Sequence, residues 1–465
     1  VNSHEHGTIG DDASGGALVS VVPERADAPL ALRYGDVVAL AGDFFLPVVA
    51  PSTPGSVLSG TAEEIRAALG VMRADAGVTE RRDGAGRPAP AADADVERRV
   101  RDRFIALAAQ NADHFTAPWA DERPLATERE AAGRFDSAPA AYRRLHQVAL
   151  DVAYREGLQG GDLAAAMAHE AAAQHYLTDA FAAGHVRTPV AAIRRFWRRR
   201  YPDFWERLLT KVARDTTAAL RDLAPPLRLL PRSALEQVTL QAVHNRTRAL
   251  PAIFLGDLLA RVFHDWDNDR GLLLEDGQVL FGDGHVEEGA GRELAVRAVR
   301  AGLADVEVAH RLGRNGRELL GDQLYAEVVD ITRGGGTTFT AEVLLPRLSS
   351  DNPPLNWRAA DADELWDAPV AGSRGPTVGE AAGRALDTGG EVYRRLAGLG
   401  VGVADSIDVP AARFLRRYLG PRAARAYREG FVDQLSHDPR GAVRDIVGSV
   451  ELGGERHCCS SPAVG

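Results

Sequence analysis

From about residue 96 to about residue 312, apolar residues recur at helical spacing in one segment after another. Runs of β-branched residues long enough to build a sheet stay short throughout the chain. A chain patterned this way hides its apolar stripes by packing helix on helix, so a mainly α fold is predicted. Helices are expected over 61–74, 96–112, 138–156, 161–183, 190–223, 233–264 and 289–312, with alanine the dominant filler. The stretch LLLEDGQVLF at 272–281 reads as a small β-hairpin turning at Glu275-Asp276-Gly277. Residues 82–95 have the composition of a linker. Beyond Gly334, TTFTAEVLLP is strand-like and two or three further helices follow. The expected organisation is a helical domain over 1–330, a mixed, mostly helical C-terminal region over 331–451, and a flexible tail over 452–465.

Of the 465 residues, 26% are charged and the net charge is −10, which disfavours broad nonspecific binding to nucleic acid. It does not disfavour a phosphate-handling cleft that brings its own cations. Among the 55 basic residues, Lys211 alone is lysine, which reflects a GC-rich coding sequence. The two cysteines, Cys458 and Cys459, are adjacent in the tail, so no disulfide framework exists. No stretch approaches the roughly 20 apolar residues of a membrane span, and the first residues lack the pattern of a secretory leader. A cytoplasmic protein, or one already stripped of a leader, is expected.

The chemistry concentrates in His175-Tyr-Leu-Thr-Asp179-Ala-Phe-Ala-Ala-Gly-His185. Positions four apart share a helix face, so His175 and Asp179 can grip one ion, and Ala171 one turn earlier leaves room for it. Gly184 is placed to end the helix and turn His185 back. Taken alone, the segment is equally a surface His–Asp pair. Three further settings argue for a cluster: Asp113-His114-Phe115, the run from His264 to Asp269 with its three carboxylates, and His4-Glu5-His6. Imidazole and carboxylate are the ligands zinc prefers.

The spacing H-x3-D-x5-H over 175–185 resembles the central motif of the zinc-dependent phospholipases C, helical proteins that share their fold with fungal single-strand nucleases and carry a tri-zinc cluster. The resemblance covers about residues 1–290. It implies that Asp179 bridges two zinc ions. Asp43, His114 and His175 would complete one site, His6 (or His4) the second, and His185, His264 and an acidic residue the third. The family places that acidic residue four positions after the last histidine, but position 268 is asparagine. Asp267 is the expected substitute, ahead of Asp265 and Asp269, because i,i+3 stays on one helix face. About 80 residues separate the last histidine from the core motif, against a short gap in the family. Asp43 would also serve as general base.

The resemblance implies a zinc-dependent phosphodiester hydrolase holding two or three zinc ions, with a phospholipid head group as substrate and contact with a membrane surface. A single-strand nuclease or nucleotide phosphatase on the same fold is the alternative, with Phe44, Phe45 and Trp119 as candidate base-stacking rings. A non-catalytic zinc-binding protein is the second. His146, His169 and Glu170 are either supports for ligands or ordinary helix positions. His244, His285, His310 and His437 are read as structural or exposed. The arginine- and aromatic-rich run RRFWRRRYPDFW at 194–205 either meets anionic lipid or packs its rings inward.

Overall fold

The structure is a computed structural model and describes residues 3–24, 28–75, 94–116, 133–248, 250–319, 339–372, 375–387 and 412–448. It is mainly helical. The chain divides into two compact units, one of residues 1–193 and 263–355, the other of 194–262 and 356–465. The boundary expected near 330 falls outside the described residues. The division places 194–262 with the C-terminal part, which a linear reading of the chain cannot anticipate.

In the first unit, α1 (Ser3–Ser14) leads to a short antiparallel hairpin of β1 (Leu18–Val21) and β2 (Leu30–Arg33), with Leu18 opposite Arg33. Then come α2 (Tyr34–Leu40), α3 (Ala62–Asp75), α4 (Ala94–Ala108), α5 (Ala138–Gln159), α6 (Ala164–Asp179) and α7 (Ala183–Arg187). α5 begins where the sequence directs it. Ser137 caps the helix by accepting the Ala140 N–H, and Pro139 sits in its first turn. α6 is the central helix, packed by α5, α2 and α1. From Ala168 to Asp179 every residue is buried, polar ones included. Its alanines let neighbouring helices approach closely, so the histidines and acids among them lie in the interior rather than on a wet face.

α8 (Val190–Arg200), α9 (Phe204–Leu223) and α10 (Arg232–Thr247) follow, and α11 (Leu255–Arg270) carries the chain back into the first unit at Phe263. The single helix expected over 233–264 is two helices, broken by a segment containing Pro251, which cannot donate a helical hydrogen bond. The hairpin of 272–281 forms as β3 (Leu272–Leu273) and β4 (Val279–Leu280), and α12 (Gly291–Leu319) packs on α5 and α6. The strand expected within TTFTAEVLLP is instead a single 3-10 turn, Thr340–Leu344. The Glu342 carboxylate accepts the Phe339 N–H at 3.2 Å, a local bond that competes with extension.

The second unit is completed by α13 (Ala362–Asp367), α14 (Val378–Asp387), α15 (Ala412–Tyr427), α16 (Asp433–His437) and α17 (Pro439–Val447). The arginine- and aromatic-rich run buries Trp197 and Phe204 and leaves Arg198, Arg199 and Arg200 exposed. Trp197 donates its indole N–H to the Trp357 carbonyl, so this ring faces inward. Lys211, also buried, donates to Asp215 Oδ2 (2.6 Å), Gln434 Oε1 (2.8 Å) and Asp445 Oδ2 (3.0 Å). Three acceptors around one compact ammonium suit a lysine at this position, because a planar guanidinium does not reproduce that arrangement.

Candidate metal centre

Five elements of the first unit deliver side chains to one buried place around Asp179. α6 supplies His175 and Asp179, the 3-10 turn Asn111–His114 supplies His114, α1 supplies His6, α7 supplies His185 and α11 supplies His264. Asp179 is fully buried and lies against four of these rings. Its Oδ1 is 3.3 Å from His6 Nε2 and 3.1 Å from His185 Nδ1. Its Oδ2 is 2.9 Å from His114 Nδ1 and 3.6 Å from His175 Nε2. Three groups emerge in which the potential ligand atoms lie within 4.8 Å of one another: His6–His175–Asp179, Asp43–His114–His175, and His185–His264–Asp283. Of the residues expected from sequence, His6, Asp43, His114, His175, Asp179, His185 and His264 are thus brought together. His4 is exposed and takes no part, two residues before a buried His6.

Asp267 is not brought in. It is buried and engaged by the Arg187 guanidinium, whose Nε donates to Oδ2 at 2.9 Å. The acid of the third group is Asp283, on the loop after β4, with Oδ2 3.3 Å from His264 Nε2 and Oδ1 3.9 Å from His185 Nε2. The i,i+3 argument failed because it considered only the helix that carries His264. Asp265 supports His264 at Nδ1 (2.8 Å), and exposed Asp269 lies 3.4 Å from His285. Asn268 accepts the Gly184 N–H at Oδ1 (2.6 Å), and its Nδ2 lies 3.2 Å from His264 Nε2, so it holds the ring and adds no charge. The sequence carried no distinctive signal for Asp283, because its Gly-Asp pair occurs seven times along the chain.

Glycines set the close approaches. Gly42 has φ of 78°, and a Cβ there would strike the His175 ring and sit 2.9 Å from His114 Cε1. Gly184 does not end α6, which stops at Asp179. The turn is made by Ala180–Ala182, with Ala182 extended (φ −106°, ψ 127°). Gly184 is needed for closeness instead, because a Cβ would lie 2.7 Å from Asn268 Oδ1.

Ring nitrogens on the far side of the cluster are held by the fold. His175 Nδ1 lies 2.9 Å from the Val38 carbonyl, an acceptor only, which fixes the proton on Nδ1 and leaves the Nε2 lone pair facing the cluster. His185 differs: its Nδ1 lies between the His114 carbonyl (3.0 Å) and Asp179 Oδ1 (3.1 Å), and its Nε2 faces Asp283. Phe115 stacks on His185 with ring centres 4.6 Å apart. Burial is the largest influence on His175 and His6 and holds them low, at about 3 and about 4, so both are neutral at physiological pH. Burial also pulls His114 down, but the Asp179 carboxylate outweighs it and the pKa is raised. Burial alone would raise Asp179, yet His185, His114, His6 and His175 together drive it well below the carboxylate range. The result is a buried set of carboxylates and imidazoles in which His6 and His175 are neutral and can present lone pairs, a donor set that fits zinc.

No known protein family matches this chain, and no similar curated protein or solved structure was found. Geometry and chemistry therefore carry the functional reading.

Proposed function

We propose that this chain is a zinc-dependent phosphodiester hydrolase of the phospholipase C type, holding two or three zinc ions. The supporting observation is the convergence on Asp179 of three ligand groups drawn from positions 6 to 283. Burying five imidazoles and a carboxylate together is costly unless a cation compensates the cluster. Zinc, when bound, would lower the pKa of coordinated water and neutralise charge on a phosphodiester.

The remaining work belongs to the chain's own residues. Asp179, His175, His114 and His6 would hold the paired positions, and His185, His264 and Asp283 the third. Asp43 is half-buried beside the cluster and accepts the Ser3 hydroxyl at Oδ2 (2.6 Å), which orients its carboxylate as the base that takes a proton. Phe115 shields the third position from water on one side. A phospholipid head group is the proposed substrate. The nuclease alternative needs a ring open to a base, and Phe44 and Phe45 are both buried, while Trp119 lies outside the described residues. The buried Trp197 likewise removes one ring from the membrane contact that the arginine-rich run suggested.

The test is elemental analysis paired with turnover. Purified protein should carry two or three zinc ions and hydrolyse an aryl phosphodiester or a phosphocholine ester. Chelation should abolish that activity and zinc should restore it. Protein that takes up no zinc sinks the proposal. A zinc-loaded but inactive protein reduces it to zinc binding alone, and activity confined to single-stranded nucleic acid favours the nuclease.

A further inference from the structure

Beside the Ala171–His175–Asp179 stripe, α6 carries a second stripe one residue earlier, Glu170–Gln174–Thr178, and it too is wholly buried. Helical spacing stacks these three side chains along one face. At one end Glu170 Oε2 meets His146 Nδ1 at 2.6 Å, and the other face of His146 looks to Asp305, with Nε2 3.7 Å from Oδ2. The two acids engage opposite ring nitrogens, so this is no ligand set for a single ion. In the middle Gln174 donates to Glu170 Oε1. A Cβ on Gly302 of α12 would collide with Gln174 and Glu170 and lie 3.0 Å from the Tyr142 hydroxyl, so α12 closes tightly over the stripe. At the other end Thr178 Oγ1 lies 2.6 Å from His6 Nδ1.

The Thr178 hydroxyl has one proton and sits within reach of two main-chain carbonyls, Gln174 O at 2.8 Å and His175 O at 2.9 Å. Carbonyls only accept, so that proton is directed to them. Thr178 Oγ1 is then the acceptor for His6, whose proton must sit on Nδ1. The Nε2 lone pair is thereby turned toward Asp179. His6 reaches the cluster on α1, 172 positions away in sequence from Thr178, and no main-chain acceptor for its ring appears among the described residues.

We propose that Thr178, its hydroxyl held by the Gln174 and His175 main-chain carbonyls, is the positioning residue that fixes the tautomer and placement of His6. This rests on the metal-centre reading for its purpose, but the tautomer itself is a property of the metal-free chain. Thr178 touches neither the reacting atoms nor an ion; it acts through His6.

The experiment uses the full chain, its Thr178→Val and Thr178→Ser variants, and zinc as the probe. Long-range nitrogen–proton NMR of metal-free wild-type protein should give His6 as the Nδ1–H tautomer. Thr178→Val, nearly isosteric, should lose that preference, and Thr178→Ser should keep it. In zinc titrations Thr178→Val should weaken one equivalent by about 10- to 100-fold and leave the others unchanged, with Thr178→Ser restoring it. An Nε2–H tautomer in wild type, or a Thr178→Val protein matching wild type in tautomer and titration, overturns the inference. If Thr178→Val does not fold, the wild-type tautomer and the Thr178→Ser titration still decide. A wild type with the Nδ1–H tautomer but no zinc uptake would sink the proposed function and leave the Thr178 assignment standing.

Discussion

Three aspartates in the first unit illustrate how little residue type decides. Asp179, Asp267 and Asp283 all lie within reach of histidine- or arginine-rich surroundings, yet each has a different partner. Asp179→Asn should lose most bound zinc, because it removes the charge shared by the clustered rings. Asp283→Asn should lose about one equivalent. Asp267→Asn should retain the wild-type zinc content while lowering stability by about 1–3 kcal/mol, since it weakens a buried pair with Arg187. Elemental analysis and denaturant melts of the three variants check this directly. Loss of zinc from Asp267→Asn with retention in Asp283→Asn would return the third acid to the helix.

At the scale of elements, α6 serves two neighbours through two stripes, and both interfaces are close. Gly302→Ala should force α12 away from Gln174 and Glu170 and cost about 1–3 kcal/mol, read as a lowered unfolding midpoint. The His146 stripe adds a pH signature. Burial lowers the His146 pKa, but Glu170 and Asp305 outweigh it and raise it from 6.5 to about 9. The folded state then holds the proton more tightly than the unfolded chain. This contribution is fully present below about pH 6.5 and lost as pH rises through about 9. Melting temperatures of wild type and His146→Gln between pH 6 and 10 should therefore converge toward the alkaline end. A constant difference across that range would contradict it.

Taken as a whole molecule, the chain places its buried charge in two separate compact units. The candidate metal centre belongs to the first, and Lys211 with Asp215 and Asp445 to the second. Lys211→Met should destabilise the protein by about 1–3 kcal/mol, less than a fully buried pair would, because Asp445 is half-exposed and regains water. Zinc stoichiometry should stay at the wild-type value. A melt and a zinc assay on one preparation check both halves, and loss of zinc would mean that the units are coupled.

Local chemistry determined much of this protein. Periodicity and alanine content identified the helical class, and the four-residue spacing of His175 and Asp179 put them on one face before any neighbour was known. The resemblance of the 175–185 motif to the zinc-dependent phospholipases C let His6, Asp43, His114, His185 and His264 be anticipated as one cluster, in that order along the chain. Choosing between His4 and His6 required the rotation of α1 against α6, which turns one ring inward and the other to water. Replacing Asp267 by Asp283 required the loop after β4 to fold over α11, while Arg187, 80 residues before Asp267, claimed that carboxylate first. Thr178, unremarkable in sequence, acquires its role only when α1 brings His6 to its hydroxyl. Helical spacing is a property of neighbours along the chain. Which of two nearby acids keeps its charge for an ion depends on who else reaches it in space, and that is decided only when distant segments pack.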